Sequence, residues 1–302
     1  MELGPRDRLS QAFIKEREKK KTIPGPFGDV VHLDIRHLGK KKIDKKLPFV
    51  RELTKNYVGI DPVYEPIPVR PVVHYMMGGI DTNIDCRTIL PGLFAAGECA
   101  CVSINGANRL GSNSLTEILV YGARAGNAAA VFANEHSEIN LEALEKQGAD
   151  EYKRITRDFL QKDGGSERIA TLRNEMHQVM EQSVDIFRSE SGLKKACNKI
   201  EELKDRFSSI LIEDKSLKFN TELTSALELE NMIDVAESII FSALSRRESR
   251  GSHQRTDFVN RDDENFLRHS LAYRTEAESR IEYQDVVITK WPPAERIYGK
   301  EE

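Results

Sequence analysis

Glycine is unevenly spread along this sequence, and its distribution constrains the fold more than any other feature. Eight of the 19 glycines fall between residues 73 and 133, where charge is also lowest. Such a stretch folds by close backbone approach, to neighbouring elements or to a ligand. Within it, Gly92-Leu-Phe-Ala-Ala-Gly97 predicts a short buried strand ending in a tight turn. Ser114 to Ala130 predicts an apolar helix whose small residues (Gly122, Ala123, Ala125, Gly126, Ala128 to Ala130) permit close packing on a sheet or another helix.

The flanking segments have different textures. Residues 1–72 are mixed and Pro-rich: a short helical pattern (Leu9, Phe13), a basic run Lys15 to Lys21, and Asp29-Val-Val-His-Leu-Asp-Ile35, whose alternation predicts a strand. A second basic cluster, Lys40 to Lys46, adjoins an apolar helical pattern at Leu47, Phe49, Val50 and Leu53. Pro62 to Pro71 reads as extended chain, because each proline removes a donor and disfavours helix just before it. Residues 140–246 are charged and helical in period, with Ile200, Leu203, Phe207, Leu223, Leu227, Leu229 and Met232 on amphipathic faces that fit a bundle. Asp163-Gly-Gly-Ser166 breaks one helix, and Ser166 is placed to cap the next. From 247 the chain turns polar, with strand-like runs at 271–274, 280–283 and 285–289 before Trp291-Pro-Pro293.

Composition narrows the class. At 302 residues, 39% hydrophobic and 31% charged, the chain is globular, and its net charge of −4 gives no basic surplus for nucleic acid. No run of 18 apolar residues is present, and Met1 to Gln11 lacks the apolar core of a signal peptide. Cys86, Cys99, Cys101 and Cys197 show no CxxC or His-rich metal spacing and read as free thiols of a reducing compartment.

The chemistry concentrates in His74-Tyr-Met-Met-Gly-Gly79, Gly97-Glu98 and Gly106-Ala-Asn-Arg-Leu-Gly-Ser-Asn-Ser114. In the last, Gly106 and Gly111 allow close approach or positive φ, while Asn108, Ser112, Asn113 and Ser114 supply donors and capping oxygens. A helix starting near Ser114 would turn its free N–H groups on the loop. Arg109 is suited to two parallel hydrogen bonds with a carboxylate. No Lys follows Gly111 and no GxGxxG occurs, so this is neither a Walker loop nor a dinucleotide fingerprint. On loop chemistry alone, ligand binding and a structural turn stand as equal alternatives. Taken singly, His74 fits a core histidine, Arg109 a salt-bridge partner, Arg6 a surface charge paired with Asp7, Glu98 a turn cap, and Met76-Met77 simple packing.

Three segments, Arg70-Pro-Val-Val-His-Tyr-Met-Met-Gly-Gly-Ile80, Gly92-Leu-Phe-Ala-Ala-Gly-Glu98 and Gly106-Ala-Asn-Arg-Leu-Gly-Ser-Asn-Ser-Leu115, occur in this order. With them the chain resembles the flavoprotein subunit of fumarate reductase and succinate dehydrogenase, from Glu2-Leu-Gly-Pro-Arg-Asp7 through Arg247-Glu-Ser-Arg-Gly-Ser-His-Gln-Arg255 to the C-terminus. Gly-Ser-Asn-Ser at 111–114 and the short 81–91 loop make it more similar to fumarate reductase. The resemblance implies an α/β plus α fold: a partial capping domain at 1–72, the last FAD-domain segment at 73–133, a helical domain at 134–246 and a β-containing region at 247–302.

It also implies FAD as cofactor and fumarate or succinate as substrate. His74 and Arg109 are then dicarboxylate ligands, Arg6 is the proton donor, and Glu98 is a ribose contact. Ser114 and Leu115 meet the flavin ring, and His74 and Tyr75 border it. For His253 and Arg255, a place near the flavin and a structural salt bridge both stand. Asn105 replaces a histidine usual in the family. The family's N-terminal half, with GxGxxG and the flavin-linking histidine, would be a further partner, so this chain alone is expected to be inactive. An iron–sulfur subunit, membrane anchors and a peripheral place on the cytoplasmic membrane face complete the expectation. The other readings are a soluble L-aspartate oxidase-like enzyme and a non-catalytic assembly piece.

Overall fold

The computed structural model describes residues 5–26, 28–136, 140–275 and 279–294, so Glu2 to Gly4 of the opening motif lie outside the described residues. The chain forms two compact units, residues 1–75 and 76–302.

In the first unit, α1 (Arg6–Glu18) buries Phe13 and Ile14 and leaves the basic run at its end exposed or half-buried. Strand β1 (Val31–Leu33), α2 (Gly39–Lys46), α3 (Pro48–Leu53) and β2 (Ile67–Val69) follow. The lysines of α2 are exposed while Ile43 is fully buried, and Pro48 opens α3, where its missing N–H costs nothing. Strand β1 pairs antiparallel with β2, Val31 opposite Val69 and Leu33 opposite Ile67. The Pro-spaced stretch is extended only in its second half. Residues 62–65 form a turn, closed by the N–H groups of Tyr64 and Glu65 on the Asp61 carbonyl at 2.9 and 3.0 Å. The Arg51 guanidinium grips the Asp61 carboxylate at 3.0 and 2.6 Å, which holds that carboxyl down at about 2.

The second unit opens with a two-residue parallel pair, β3 (Ile80–Asp81) against β4 (Ala100–Cys101). Residues 92–97 are not the strand their pattern predicts. They pair only through an isolated antiparallel Arg87–Phe94 bridge within a local loop, made by Thr88 N–H to Leu93 O and Ala95 N–H to Cys86 O, both 3.1 Å. Helix α4 (Asn113–Glu135) forms where small and apolar residues predict it, but it buries only Glu117. Leu115, Ile118, Leu119 and Val120 are exposed, Leu119 at 73%.

The core lies further on. Helix α5 (Leu141–Ile155) leads into α6 (Ile169–Ser183), α7 (Glu190–Phe207) and α8 (Thr221–Ser245), which pack on one another. Leu193, Ala196, Ile200 and Leu203 form the buried stripe of α7, and Ala226, Leu229, Ile233, Ala236, Ile240 and Ala243 that of α8. These are steps of three and four residues, the period of a helix face. Leu223, Leu227, Met232 and Phe207 pack partly buried around them. Asn220 accepts the Leu223 N–H at 2.7 Å to cap α8. Ser166 caps nothing: α6 starts at Ile169 without a side-chain cap, since residues 166 and 167 are held as extended chain by their N–H bonds to Ser209 O. After α8 come the short α9 (Asp263–Phe266) and the antiparallel hairpin of β5 (Arg268–Tyr273) and β6 (Arg280–Asp285). The run 285–289 does not continue as a strand past Asp285.

The polar stretch after α8 closes that helix. Arg255, whose side chain is fully buried, donates to the carbonyls of Ala243, Leu244 and Arg246 at 3.0–3.3 Å and is itself held by Asp257 at 2.7 and 2.9 Å. A cation on the last carbonyls of a helix satisfies groups that have no intrahelical partner. His253 is locked beside it. Its Nδ1 accepts from Arg188 Nη1 at 2.9 Å, and its Nε2 faces the Arg246 carbonyl at 3.1 Å, so the ring must be neutral with the proton on Nε2. Both residues therefore have structural roles here. Burial, with the Arg188, Arg246 and Arg255 cations around it, holds the His253 imidazole down at about 4.

Two stability predictions follow from this packing. Leu203→Ala in the bundle is expected to cost about 2–5 kcal/mol, read as a lower urea midpoint for the loss of helical circular dichroism. Between pH 6.5 and about 4 the unfolded chain binds a proton at His253 that the folded chain refuses. Stability should therefore fall on acidification by about 1.4 kcal/mol per pH unit in that window. Urea unfolding at pH 4.5 and 7 should show His253→Gln losing this part of the slope. The further loss below pH 4, from carboxylates such as Glu175 that are held low by cationic partners, should remain.

Candidate active site

The three glycine-bearing motifs, dispersed over some forty residues, meet in the second unit. The first contact is backbone on backbone. Gly79 has φ +150, and a Cβ there would stand 2.6 Å from the Cys99 carbonyl oxygen, so only glycine lets β3 lie against β4. The Ile80 N–H then bonds Cys99 O at 2.9 Å. Just before it, the Met76 N–H donates to Glu98 Oε1 at 2.9 Å, and the Met77 sulfur accepts the Arg109 N–H at 2.9 Å. The two methionines thus tie the first motif to both of the others, a role beyond packing that their sequence gives no sign of.

Arg109 is half-buried, and its Nη1 donates to Leu110 O at 3.0 Å, which folds the guanidinium back along its own loop. Glu98 is exposed beyond its bond to Met76. Gly106 takes the left-handed conformation, but at the helix start it is Ser112, at φ +65, rather than Gly111 that does so. No side chain caps α4. Backbone carbonyls take two of its opening N–H groups, Asn113 N–H on Leu110 O at 3.3 Å and Leu115 N–H on Ser112 O at 3.1 Å, and Ser114, half-buried, and Leu115, exposed, sit in that first turn. The arrangement is that of an anion- or carbonyl-binding helix start.

Arg6, His74 and Tyr75 belong to the first unit. Arg6 is exposed at the start of α1, after Pro5. His74 is exposed and Tyr75 half-buried in irregular chain at the end of that unit. Glu98, Arg109, Ser114 and Leu115 of the expected set lie in the second unit, where Met76 and Met77 connect Glu98 to Arg109.

Several residues escape sequence reasoning. Asn105 donates from Nδ2 to Glu117 Oε2 at 2.8 Å, and its own Oδ1 is buried without a donor among the described residues. Glu117 is the one charge between Ser112 and Tyr121, and a lone carboxylate in an apolar helix is the signal that would have found the pair. Ser103, at φ +72, bonds His269 Nε2 at 2.8 Å, and Ser252 bonds the Ala107 carbonyl. These partners lie more than a hundred residues apart in the chain and leave no local trace. Cys101 and Cys86 are pushed up by burial, which keeps both thiols protonated and unreactive. All four cysteines are free.

Chemically, a buried acceptor awaiting a donor, an uncapped helix start and a fixed guanidinium on one loop suit a planar polar ring edge beside an anionic substrate. Comparisons with known proteins bear on this arrangement. Residues 173–298 match the family model for the fumarate reductase flavoprotein C-terminus, and residues 1–115 match that for an FAD binding domain. The fumarate reductase flavoprotein subunit of Mycobacterium tuberculosis is 55% identical over 304 residues, covering 99% of this chain and 52% of the relative. A succinate dehydrogenase flavoprotein subunit of Rickettsia bellii is 36% identical, over 98% of this chain and 52% of the relative. A solved structure of an Escherichia coli quinol fumarate reductase mutant superposes with a TM-score of 0.94 at 50% identity, covering 100% of this chain and 52% of that one. The chain spans about half the length of the curated relatives it matches.

Proposed function

Because the chain belongs to the fumarate reductase and succinate dehydrogenase flavoprotein family, we propose that it carries the dicarboxylate clamp and one face of the FAD site of a fumarate reductase flavoprotein. The main support is the linking of Glu98 and Arg109 through the adjacent Met76 and Met77, with Ser114 and Leu115 in the first turn of the helix that follows the Arg109 loop. The cofactor of this family is FAD, and the residues present fit it: the buried Asn105 Oδ1 acceptor has no donor among the described residues, and no side chain caps the first turn of α4. Glu98 would hold a ribose hydroxyl, Ser114 and Leu115 would meet the ring through backbone groups, and His74 and Tyr75 would border it. Bound FAD would supply hydride to one alkene carbon of fumarate.

The protein side chains do the rest. Arg109 holds one carboxylate by two parallel N–H···O bonds, with His74 as a second donor. Negative charge develops next to that carboxylate as the alkene is reduced, and a fixed guanidinium stabilises it without reorganising. Arg6 delivers the proton to the second carbon. A guanidinium is a very weak acid, so it acts only in a concerted transfer with reprotonation through neighbouring charged groups. Residues 1–72 act as part of the capping domain, 73–133 as the closing FAD segment, 134–246 as the helical domain and 247–302 as a β-containing region.

Two features support the wider assembly. The exposed apolar side of α4 suits docking against the other half of the flavoprotein, which would bring GxGxxG and most FAD contacts. Two of the similar solved structures are of quinol fumarate reductase; by that likeness electrons would come from a quinol through an iron–sulfur subunit, with membrane anchors holding the flavoprotein peripherally at the cytoplasmic face. Among the described residues no helix is long and apolar enough to cross a membrane.

On this reading the purified chain alone is colourless and inactive, and co-expression with the N-terminal half of a relative restores flavin and viologen-driven fumarate reduction. In that assembly, Arg109→Ala should weaken dicarboxylate binding about a hundredfold, the loss of two charge-assisted hydrogen bonds at about 1.5 kcal/mol each. Arg6→Ala should lower turnover by about 10²–10⁴-fold with ligand affinity kept. Unchanged flavin difference spectra for Arg109→Ala, or unchanged turnover for Arg6→Ala, would overturn the assigned roles.

A further inference from the structure

The loop that carries Arg109 is held by residues from the far end of the chain. Arg250 and His253 close a tight turn on each other, with Arg250 N–H to His253 O at 2.8 Å and the reverse bond at 3.0 Å. The two residues at its tip, Gly251 and Ser252, face Ala107. The Ser252 N–H and Oγ both donate to the Ala107 carbonyl, at 2.9 and 2.8 Å. Gly251 sits at φ +58, and a Cβ there would stand 2.5 Å from that oxygen and 2.6 Å from its carbon. The approach is so close that any side chain at 251 would push the two backbones apart.

The turn cannot yield easily. Arg250 grips fully buried Glu248 at 2.8 and 3.0 Å and Asp263 at 2.5 Å. His253 is fixed between Arg188 and the Arg246 carbonyl. Arg255 anchors the next residues beneath the end of α8. A continuous set of polar contacts therefore runs from the helical core to Ala107, two residues before Arg109. A second hold lies at the other side of the loop, where Ser103 Oγ bonds His269 Nε2 on β5. Arg109 itself is tied to Met77 through its backbone N–H, and its Nη1 donates to Leu110 O.

We propose that Gly251 and Ser252 are positioning residues for Arg109: their turn sets the register of the 103–110 loop so that the guanidinium is pre-organised for a carboxylate. The proposal rests on the dicarboxylate reading of Arg109 above. A clamp with its donors already in place loses less on binding than one that must be ordered, and a displacement of about 1 Å costs such a site heavily.

The test uses two preparations. In the 302-residue chain, hydrogen–deuterium exchange of the 103–112 amides should speed up in Gly251→Ala and, less, in Ser252→Ala, with exchange in α7 and α8 unchanged. In the FAD-loaded assembly with the other half, malonate affinity is read from the flavin difference spectrum. Gly251→Ala should weaken it about tenfold and Ser252→Ala about threefold, with flavin content unchanged. In an Arg109→Lys background both effects should shrink towards none, because residues that act through one group are not additive. Full additivity with Arg109→Lys, or unchanged loop exchange and affinity in both variants, would overturn the positioning role. Should Gly251→Ala not fold, Ser252→Ala carries the same comparison. An Arg109→Lys enzyme with undiminished malonate affinity would instead sink the underlying reading of Arg109.

Discussion

A single buried guanidinium organises the second unit. Arg255 lies under the C-terminal end of α8, and its side chain is closed off from solvent. A charge in that position is tolerable only because three helix carbonyls and the Asp257 carboxylate satisfy it together. Take away the Asp257 carboxylate and the guanidinium is left buried without a counter-charge, which costs several kcal/mol. The turn at 250–253, the neutral ring of His253 and the pairing of Glu248 with two arginines all depend on the chain passing through this point. Through them the loop around Arg109 is set against the helical core.

Some of this organisation is legible in the sequence and some is not, for physical reasons. The bundle can be read because Ile200, Leu203 and Leu229 repeat at helical period, and periodicity is a local property. The loop at 106–115 can be read as a ligand loop because its residue types, glycine, asparagine, arginine and serine, each have a chemistry of their own. The strand expected at 92–97 fails because a short apolar run takes its partners from wherever the chain folds back, and here local turns supply them. The cap expected from Ser166 fails because extended pairing with Ser209 claims that segment first. What holds the site in place escapes altogether. Nothing near Ala107 announces that its carbonyl will be met by Ser252.

Helix α4 combines both situations. Its helicity follows from composition, yet its surroundings do not: Gly122 and Gly126 have nothing within 4 Å of where a Cβ would sit, and the apolar residues of its first turns face outward. On the reading proposed above, this exposed apolar side is the surface of α4 that meets the other half of the flavoprotein.

The span of the loop's restraints also fixes an order of events in folding. Ser252 is 145 positions from Ala107 and His269 is 166 from Ser103, whereas the bundle is built from neighbours in sequence. Closing such long loops is entropically costly until both ends are already structured. The helices at 169–245 therefore consolidate early, and the segment from Met76 to Ser112 is the last to lose its freedom. A polypeptide arranged this way completes its chemically important loop only after the tail of the same molecule has been synthesised.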